Sequence, residues 1–114
     1  MNLFPNNAIK FELKGTTVDF FKYEEDGCLY YYFDTSMTAA PEPMINAMAG
    51  LGLLDGINKK LVMINHKVPG GLFGKIGDNF GHDIQELEDG RAKVVFWFLE
   101  EESYKADLTQ TSCG

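Results

Sequence analysis

The sequence predicts an α/β two-layer sandwich, of the α+β kind, in which two helices lie on one face of a mixed sheet. Runs rich in aromatic and β-branched residues alternate with two segments of helical spacing along the 114-residue chain. Asp-Gly pairs separate two pairs of these runs, which is a hairpin signal. The resulting order is hairpin, helix, strand, helix, hairpin, with one further short strand at the N-terminus.

The first hairpin is predicted from residues 18–23 and 28–34, which flank an acidic turn that ends in Asp26-Gly27. Both runs are rich in residues that favour strands, and a turn of this composition joins neighbouring antiparallel strands. An earlier run, residues 8–14, alternates apolar and polar residues and predicts an edge strand, which Gly15 ends. The chain therefore begins with two or three strands before its first helix.

The two predicted helices enclose a buried strand. Apolar residues recur at intervals of three and four over residues 41–54, and Pro43 fits the first helical turn, where amides lack intrahelical partners. The continuous apolar run 61–64 predicts a buried strand, parallel to the strand before the helix. A second helix is predicted from Pro69-Gly70-Gly71 onward, with Phe80 on its apolar face.

A final hairpin is predicted to pair residues 83–88 with residues 93–100 across a Glu-Asp-Gly turn. After it the composition becomes polar, which is typical of a frayed terminus. We therefore expect one domain over residues 1–114. It would consist of an N-terminal strand addition (8–27), a core (28–100) and a flexible tail (101–114).

The charge balance narrows the range of partners. Ten basic residues against seventeen acidic ones give a formal net charge of −7 at pH 7, which repels phosphate backbones and anionic membranes. No segment approaches the roughly 20 consecutive apolar residues that span a bilayer, and the N-terminus has no basic patch followed by an apolar run. We expect a soluble cytoplasmic protein that binds neither nucleic acid nor membranes, with both cysteines as reduced thiols.

The stretch from residue 33 to residue 44 reads Phe-Asp-Thr-Ser-Met-Thr-Ala-Ala-Pro-Glu-Pro-Met, in which a strand runs into a Pro-Glu-Pro turn that opens a helix. This register resembles the sulfur carriers of the TusA/SirA-like superfamily, in which an acidic residue ends a strand and Cys-Pro-x-Pro opens the next helix. The matching residues are Asp34, Pro41, Glu42 and Pro43. Ala40 stands at the position of the sulfur-carrying cysteine.

The resemblance extends beyond the helix start and implies a βαβαββ fold over residues 28–99. A branch of uncharacterised domains in that superfamily lacks the cysteine and has a histidine or aspartate, then a proline and a Leu-aromatic pair, after the next strand. This chain supplies the same order with His66, Pro69, Leu72 and Phe73. Ser36-Met37 replace the Arg-Gly of the carriers, so a pocket built on that arginine is not implied here.

The Pro-Glu-Pro turn is the predicted functional site. Alanine has no nucleophile, so a sulfur relay cannot run through position 40. Strand ends that meet a helix start nevertheless bind small molecules or anions in α/β sheets. The candidate ligand-binding residues are Asp34, Pro41, Glu42, Pro43 and His66. The alternative is purely structural, with Pro-Glu-Pro only fixing the entry to the helix.

Both faces of the predicted sheet are apolar, although helices cover only one of them. The uncovered face carries Tyr30, Tyr32, Val95, Trp97 and Leu99. An aromatic patch of this size exceeds what monomers usually expose, so we expect a homodimer through this face. The alternatives are a different protein partner, or cover from N-terminal residues such as Phe4, Ile9 and Phe11.

We therefore expect a small non-enzymatic binding or interaction module on a TusA-like scaffold that has lost its sulfur-carrying cysteine. The alternative is a participant in sulfur transfer or redox chemistry that uses Cys113 as an exposed carrier thiol, whereas Cys28 is expected to pack within the sheet. A third possibility is an enzyme that uses His66 and Asp34 as acid and base. No metal or cofactor is expected, because the two histidines have no ligand spacing.

Overall fold

The computed structural model of the chain describes residues 8–56, 58–76 and 80–99. The elements among these residues are β1 (Ile9–Phe11), β2 (Phe20–Glu25), β3 (Cys28–Asp34), α1 (Glu42–Leu51), β4 (Lys59–Asn65), α2 (Gly70–Phe73), β5 (Phe80–Glu86) and β6 (Ala92–Phe98). The six strands form one mixed sheet in the order β1-β2-β3-β4-β6-β5. The first helix connects the neighbouring strands β3 and β4, and the second lies between β4 and the edge strand β5 along the chain. The predicted fold class is confirmed. The predicted tail, residues 101–114, lies outside the described residues.

The turns and crossovers set the strand directions. β2 and β3 pair antiparallel across Asp26 and Gly27, whose φ angles of 54° and 81° suit a tight hairpin turn. β3 and β4 pair parallel, because α1 returns the chain from the end of β3 to the edge of the sheet at which β3 begins. The sequence predicted this parallel pairing. β6 then pairs antiparallel with both β4 and β5.

The main core lies between the sheet and the two helices, and we call this side of the sheet the helix face. Its buried residues are Phe20, Tyr31, Phe33, Ala47, Leu51, Leu54, Leu61, Met63, Leu72, Ile76, Val94 and Phe96. Members of both helices belong to the same cluster, so both helices lie on one face, as predicted. Phe20 and Phe33 stack with their ring centroids 4.7 Å apart, and each buried side chain of this size contributes about 2–3 kcal/mol to folding.

The opposite side of the sheet, the outer face, has its own apolar cluster. Tyr32, Val62 and Ile64 are buried there, and Phe21, Tyr23, Tyr30, Leu87 and Val95 pack around them. The strands therefore alternate between two apolar faces, as the sequence predicts. The proposed N-terminal cover is wrong for two of its residues, because Phe11 packs on the helix face and Ile9 is 63% exposed. Phe4 lies outside the described residues.

The loop between β1 and β2 is tied to α1 by a buried amide. The side-chain Oδ1 of Asn46, which is 0% exposed, accepts a hydrogen bond from the backbone amide of Thr17 at 2.7 Å. Its Nδ2 donates to Thr17 Oγ1 and to the carbonyl of Glu42, both at 2.8 Å. Because these polar atoms are satisfied inside the protein, the N-terminal strands are fixed against the helix.

The second helix is shorter than predicted. α2 ends at Phe73, and Phe80, which was expected on its apolar face, begins β5 and pairs with Phe98. Glycines at positions 70, 71 and 74 disfavour a longer helix, because each loses more backbone entropy than other residues do. The ring contact between Phe80 and Phe98, with centroids 5.8 Å apart, favours the strand instead.

Candidate functional site

A cleft of about 750 Å³ opens where β3 and β4 end and the two helices begin. One wall is the loop from β3 into α1, and the other is the loop from β4 into α2. The lining residues are Ser36, Met37, Thr38, Ala39, Ala40, Pro41, Pro43, Met44, Asn65, His66, Lys67, Pro69, Gly71 and Leu72. This is the region in which the sequence predicted a site.

Buried hydrogen bonds hold the two walls together. The amide of Thr35 donates to the carbonyl of Ile64 at 2.7 Å, and its hydroxyl donates to Asn65 Oδ1 at 3.0 Å. Asn65 Nδ2 donates in turn to the carbonyl of Lys67 at 3.0 Å, and Thr38 Oγ1 donates to the carbonyl of Thr35 at 2.9 Å. Thr35 is 0% and Asn65 2% exposed. These hydrogen bonds fix the two loops relative to each other.

Thr35 and Asn65 were not among the predicted site residues. The signal for them is present in the sequence, because two small polar residues end neighbouring parallel strands, where side chains from both strands meet. Their role is to fix the loops. A ligand would contact the surfaces that these loops present.

The floor and sides of the cleft are largely apolar. Leu72, which is 2% exposed, lies at the base, and Met37, which is 95% exposed, stands at the rim. Ala40 belongs to the lining, so the position that matches the sulfur-carrying cysteine faces this space. A cleft with this lining accepts an apolar group more readily than a strongly hydrated one.

The start of α1 offers few free amides to an anion. Pro41 and Pro43 have no N–H group, and the amide of Glu42 donates to the carbonyl of Ala39 at 3.0 Å. The amide of Glu42 is therefore not free to bind a ligand. A phosphate, which is usually held by several amides at a helix start, would find few donors here.

Three of the five predicted ligand-binding residues line the cleft, namely Pro41, Pro43 and His66. Glu42 lies elsewhere, because its Oε1 accepts a hydrogen bond from Thr17 Oγ1 at 2.8 Å. Asp34 also lies outside the lining. Its Oδ1 accepts the amide of Ser36 at 2.8 Å.

Asp34 points to the outer face. It follows Tyr30 and Tyr32 at intervals of two residues along β3, and side chains two residues apart lie on the same face of a strand. There its Oδ2 lies 3.5 Å from Arg91 Nη1. Arg91 also bonds Asp89, and this hydrogen bond lowers the pKa of the Asp89 carboxyl. The structure therefore directs Asp34 to Arg91, whereas the predicted acid/base partner, His66, lines the cleft.

The predicted interface residues all belong to the outer face or to the end of β6. Tyr30, Val95 and Trp97 are half-buried and Leu99 is 41% exposed, but Tyr32 is only 2% exposed and presents little surface. Tyr30 stacks on Tyr23 with ring centroids 4.9 Å apart. Burial is the main cause that raises the pKa of both Tyr23 and Tyr32 to about 12.

The cysteines differ from expectation at one position. Cys28 is 0% exposed and is disulfide-bonded, so the prediction of a reduced thiol there is wrong. Disulfides are rare in reducing compartments, so the cytoplasmic location gains no support from this residue. Cys113, the predicted carrier thiol, lies outside the described residues.

Across the described ranges, no group of three or more His, Cys, Asp or Glu side chains is arranged to hold a metal ion. No helix within those ranges combines the length and the apolar character that a membrane span requires. No protein-family model, curated protein or solved structure matches this chain. The TusA/SirA-like kinship therefore stays a prediction from the motif and the order of elements.

Proposed function

We propose that this protein is a non-enzymatic binding module and that a small molecule with an apolar body occupies the cleft between the starts of α1 and α2. The observation that carries the proposal is the cleft itself. Its volume of about 750 Å³ falls within the range of roughly 300–1,000 Å³ that is typical of ligand sites. Its walls are fixed by the buried side chains of Thr35 and Asn65, so little ordering is needed on binding.

Two observations, one at Ala40 and one at Asp34, support a binding role over a catalytic one. Ala40 provides no nucleophile where the sulfur carriers have cysteine. Asp34, the proposed partner of His66, pairs with Arg91 outside the lining and is not available as a base beside the histidine.

The binding proposal is tested with N-phenyl-1-naphthylamine, an uncharged dye that fluoresces in apolar surroundings. Gly71 lines the cleft, and a Cβ atom added there meets no atom within 4 Å, so Gly71→Phe should fill the space without disturbing the fold. Gly74→Phe is the matched control, because Gly74 has equal room but lies outside the lining.

We expect the wild-type protein and Gly74→Phe to bind the dye equally, and Gly71→Phe to bind it at least about tenfold more weakly. Amide chemical shifts should move at Ala40 and Lys67 on titration of the wild-type protein. Equal binding by all three proteins, with shifts confined to the outer face, would refute the cleft as the ligand site.

We also propose that the scaffold is related to the TusA/SirA-like superfamily. The order of β3, α1, β4, α2, β5 and β6 is the βαβαββ order that the resemblance implies, and Ala40 lies immediately before the proline start of α1. If the site is inherited, the thiol of Ala40→Cys should have a pKa below the ordinary value of about 8.5, because a helix start favours the thiolate. The pH dependence of its alkylation measures this, with Gly74→Cys as the control. Equal values in the two variants would count against the kinship.

A homodimer through the outer face is our proposal for the partner. The partial exposure of Trp97 and Leu99 supports it, because aromatic and aliphatic side chains at such positions are typical of dimer interfaces. Sedimentation of the wild-type chain should give twice the 12.8 kDa monomer mass. Leu99→Asp should shift the mass toward the monomer, and Ile84→Asp, at a similarly exposed site on β5, should not. A monomeric wild-type protein would refute pairing.

A further inference from the structure

The cleft has the opposite charge to the protein that surrounds it. The chain has seventeen acidic residues and ten basic ones, yet none of the described residues that line the cleft is Asp or Glu. Its ionisable side chains are those of His66 and Lys67, which are both exposed. A cationic rim above an apolar floor is unusual on an acidic domain, and it restricts the ligands that fit.

Two carboxylates, those of Asp34 and Glu42, lie close in sequence to the cleft-lining segment 36–44, but their hydrogen bonds hold them away from this rim. Asp34 bonds the amide of Ser36 and lies 3.5 Å from Arg91, and Glu42 accepts the hydroxyl of Thr17 at 2.8 Å. Among the described residues, the salt bridges involve Lys10, Lys59 and Arg91, and none includes Lys67 or His66. Within residues 8–56, 58–76 and 80–99, therefore, no carboxylate forms a salt bridge with the positive charge at the cleft.

The start of α1 adds to this potential. The amino end of a helix carries a partial positive charge, and Pro41 and Pro43 place that end in the lining. The scarcity of free amides there disfavours a multiply charged phosphate, whereas a single carboxylate or sulfonate needs only the side chains at the rim.

We propose that the ligand is an amphipathic organic acid, a small molecule whose apolar body lies on Leu72 and the prolines and whose one anionic group lies beside Lys67 and His66. This inference rests on the proposed binding function and adds the chemical class of the ligand. Lys67 is the main determinant of the charge preference, because a lysine ammonium is a compact point charge on a flexible stem that can reach an anionic group at the rim.

A matched pair of dyes tests the proposal. 1-Anilinonaphthalene-8-sulfonate has the same ring system as N-phenyl-1-naphthylamine and adds one sulfonate group, so the ratio of their dissociation constants isolates the effect of the charge. We expect the sulfonate to bind the wild-type protein about 1.5- to fivefold more tightly at low salt, the size of effect typical of exposed ion pairs. This advantage should shrink in 0.5 M salt, because the charges are screened.

The variants assign the advantage to the rim. Lys67→Gln should lower the ratio of the two affinities to near one, and His66→Gln should lower that ratio less. Lys75→Gln is the matched control, because Lys75 is an exposed lysine outside the lining, and it should change neither affinity.

The outcomes separate the two proposals. If the uncharged dye binds the cleft and the sulfonate binds no more tightly, or if Lys67→Gln leaves the advantage intact, the organic-acid inference is overturned and the binding function stands. If the binding of both dyes is insensitive to Gly71→Phe, neither occupies the cleft and both proposals are overturned.

Discussion

The two faces of the sheet have similar apolar compositions and differ in how they are covered. On the helix face, Phe33 and Phe96 are 0% exposed beneath the helices, whereas Trp97, the next residue along β6, is half-buried on the outer face. Alternate residues of one strand therefore contribute to folding to different degrees. Apolar side chains on both faces allow either face of the sheet to be buried. The elements that pack against the sheet determine which face becomes the main core.

The sharpest way to break this comparison is to truncate adjacent aromatic residues of β6. Phe96→Ala should lower the free energy of unfolding by about 3–5 kcal/mol, because it leaves a cavity that the packed helices cannot fill. Trp97→Ala should cost roughly half as much, because its surroundings can relax toward solvent. Urea denaturation followed by circular dichroism measures both. Equal losses would mean that the outer face is as tightly packed as the helix face.

A smaller effect comes from adding one methyl group where α1 approaches the sheet. A Cβ atom at Gly50 would lie 2.8 Å from Leu61 Cδ1 and 3.1 Å from a ring carbon of Phe20, both buried. Gly50→Ala should therefore destabilise the protein by about 1–3 kcal/mol, despite the better helix propensity of alanine. Gly71→Ala, with no atom within 4 Å of the new Cβ, is the control and should be neutral or slightly stabilising. An unchanged urea midpoint for Gly50→Ala would show that Leu61 and Phe20 can move to accommodate the added methyl group.

The same substitution on the outer face should cost less. A Cβ atom at Gly81 would meet the indole of Trp97, which crosses over it from the neighbouring strand. Because this indole is half-buried, it can rotate outward, and Gly81→Ala should cost less than about 1 kcal/mol. The chain has one tryptophan, so its emission should shift to longer wavelength as the ring enters water. A large stability loss without such a shift would show that the indole is locked in place.

The smallest expected effect is the loss of stability when two outer-face tyrosines ionise, which occurs only at high pH. Tyr23 and Tyr32 on the outer face have pKa values raised by burial from the ordinary value of 10 to about 12. Their neutral forms stabilise the fold fully below pH 10, and this contribution is lost as the pH rises through 12. Unfolding midpoints should therefore fall between pH 9 and pH 11 more steeply for the wild-type protein than for Tyr23→Phe/Tyr32→Phe. Parallel slopes for the two proteins would contradict burial of these hydroxyls.

The sequence was sufficient for the order of elements along the chain and for which apolar side chains of β3 and β6 share a face, because alternation and Asp-Gly turns act locally. Three of the residues that it proposed for a site, Pro41, Pro43 and His66, line the cleft, since the start of α1 and the end of β4 are adjacent in the order of elements. Asp34 was assigned to the wrong side, although its register with Tyr30 and Tyr32 carries the necessary information. The partner of Glu42 could not be foreseen, because Thr17 lies 25 residues away along the chain.

Asn46 makes the first two strands inseparable from the rest of the domain. A chain that began at residue 28 would lack Thr17, the hydrogen-bond partner of the Asn46 side chain, and Phe20, which stacks on Phe33. Excision of a minimal βαβαββ unit should therefore yield an unstable fragment.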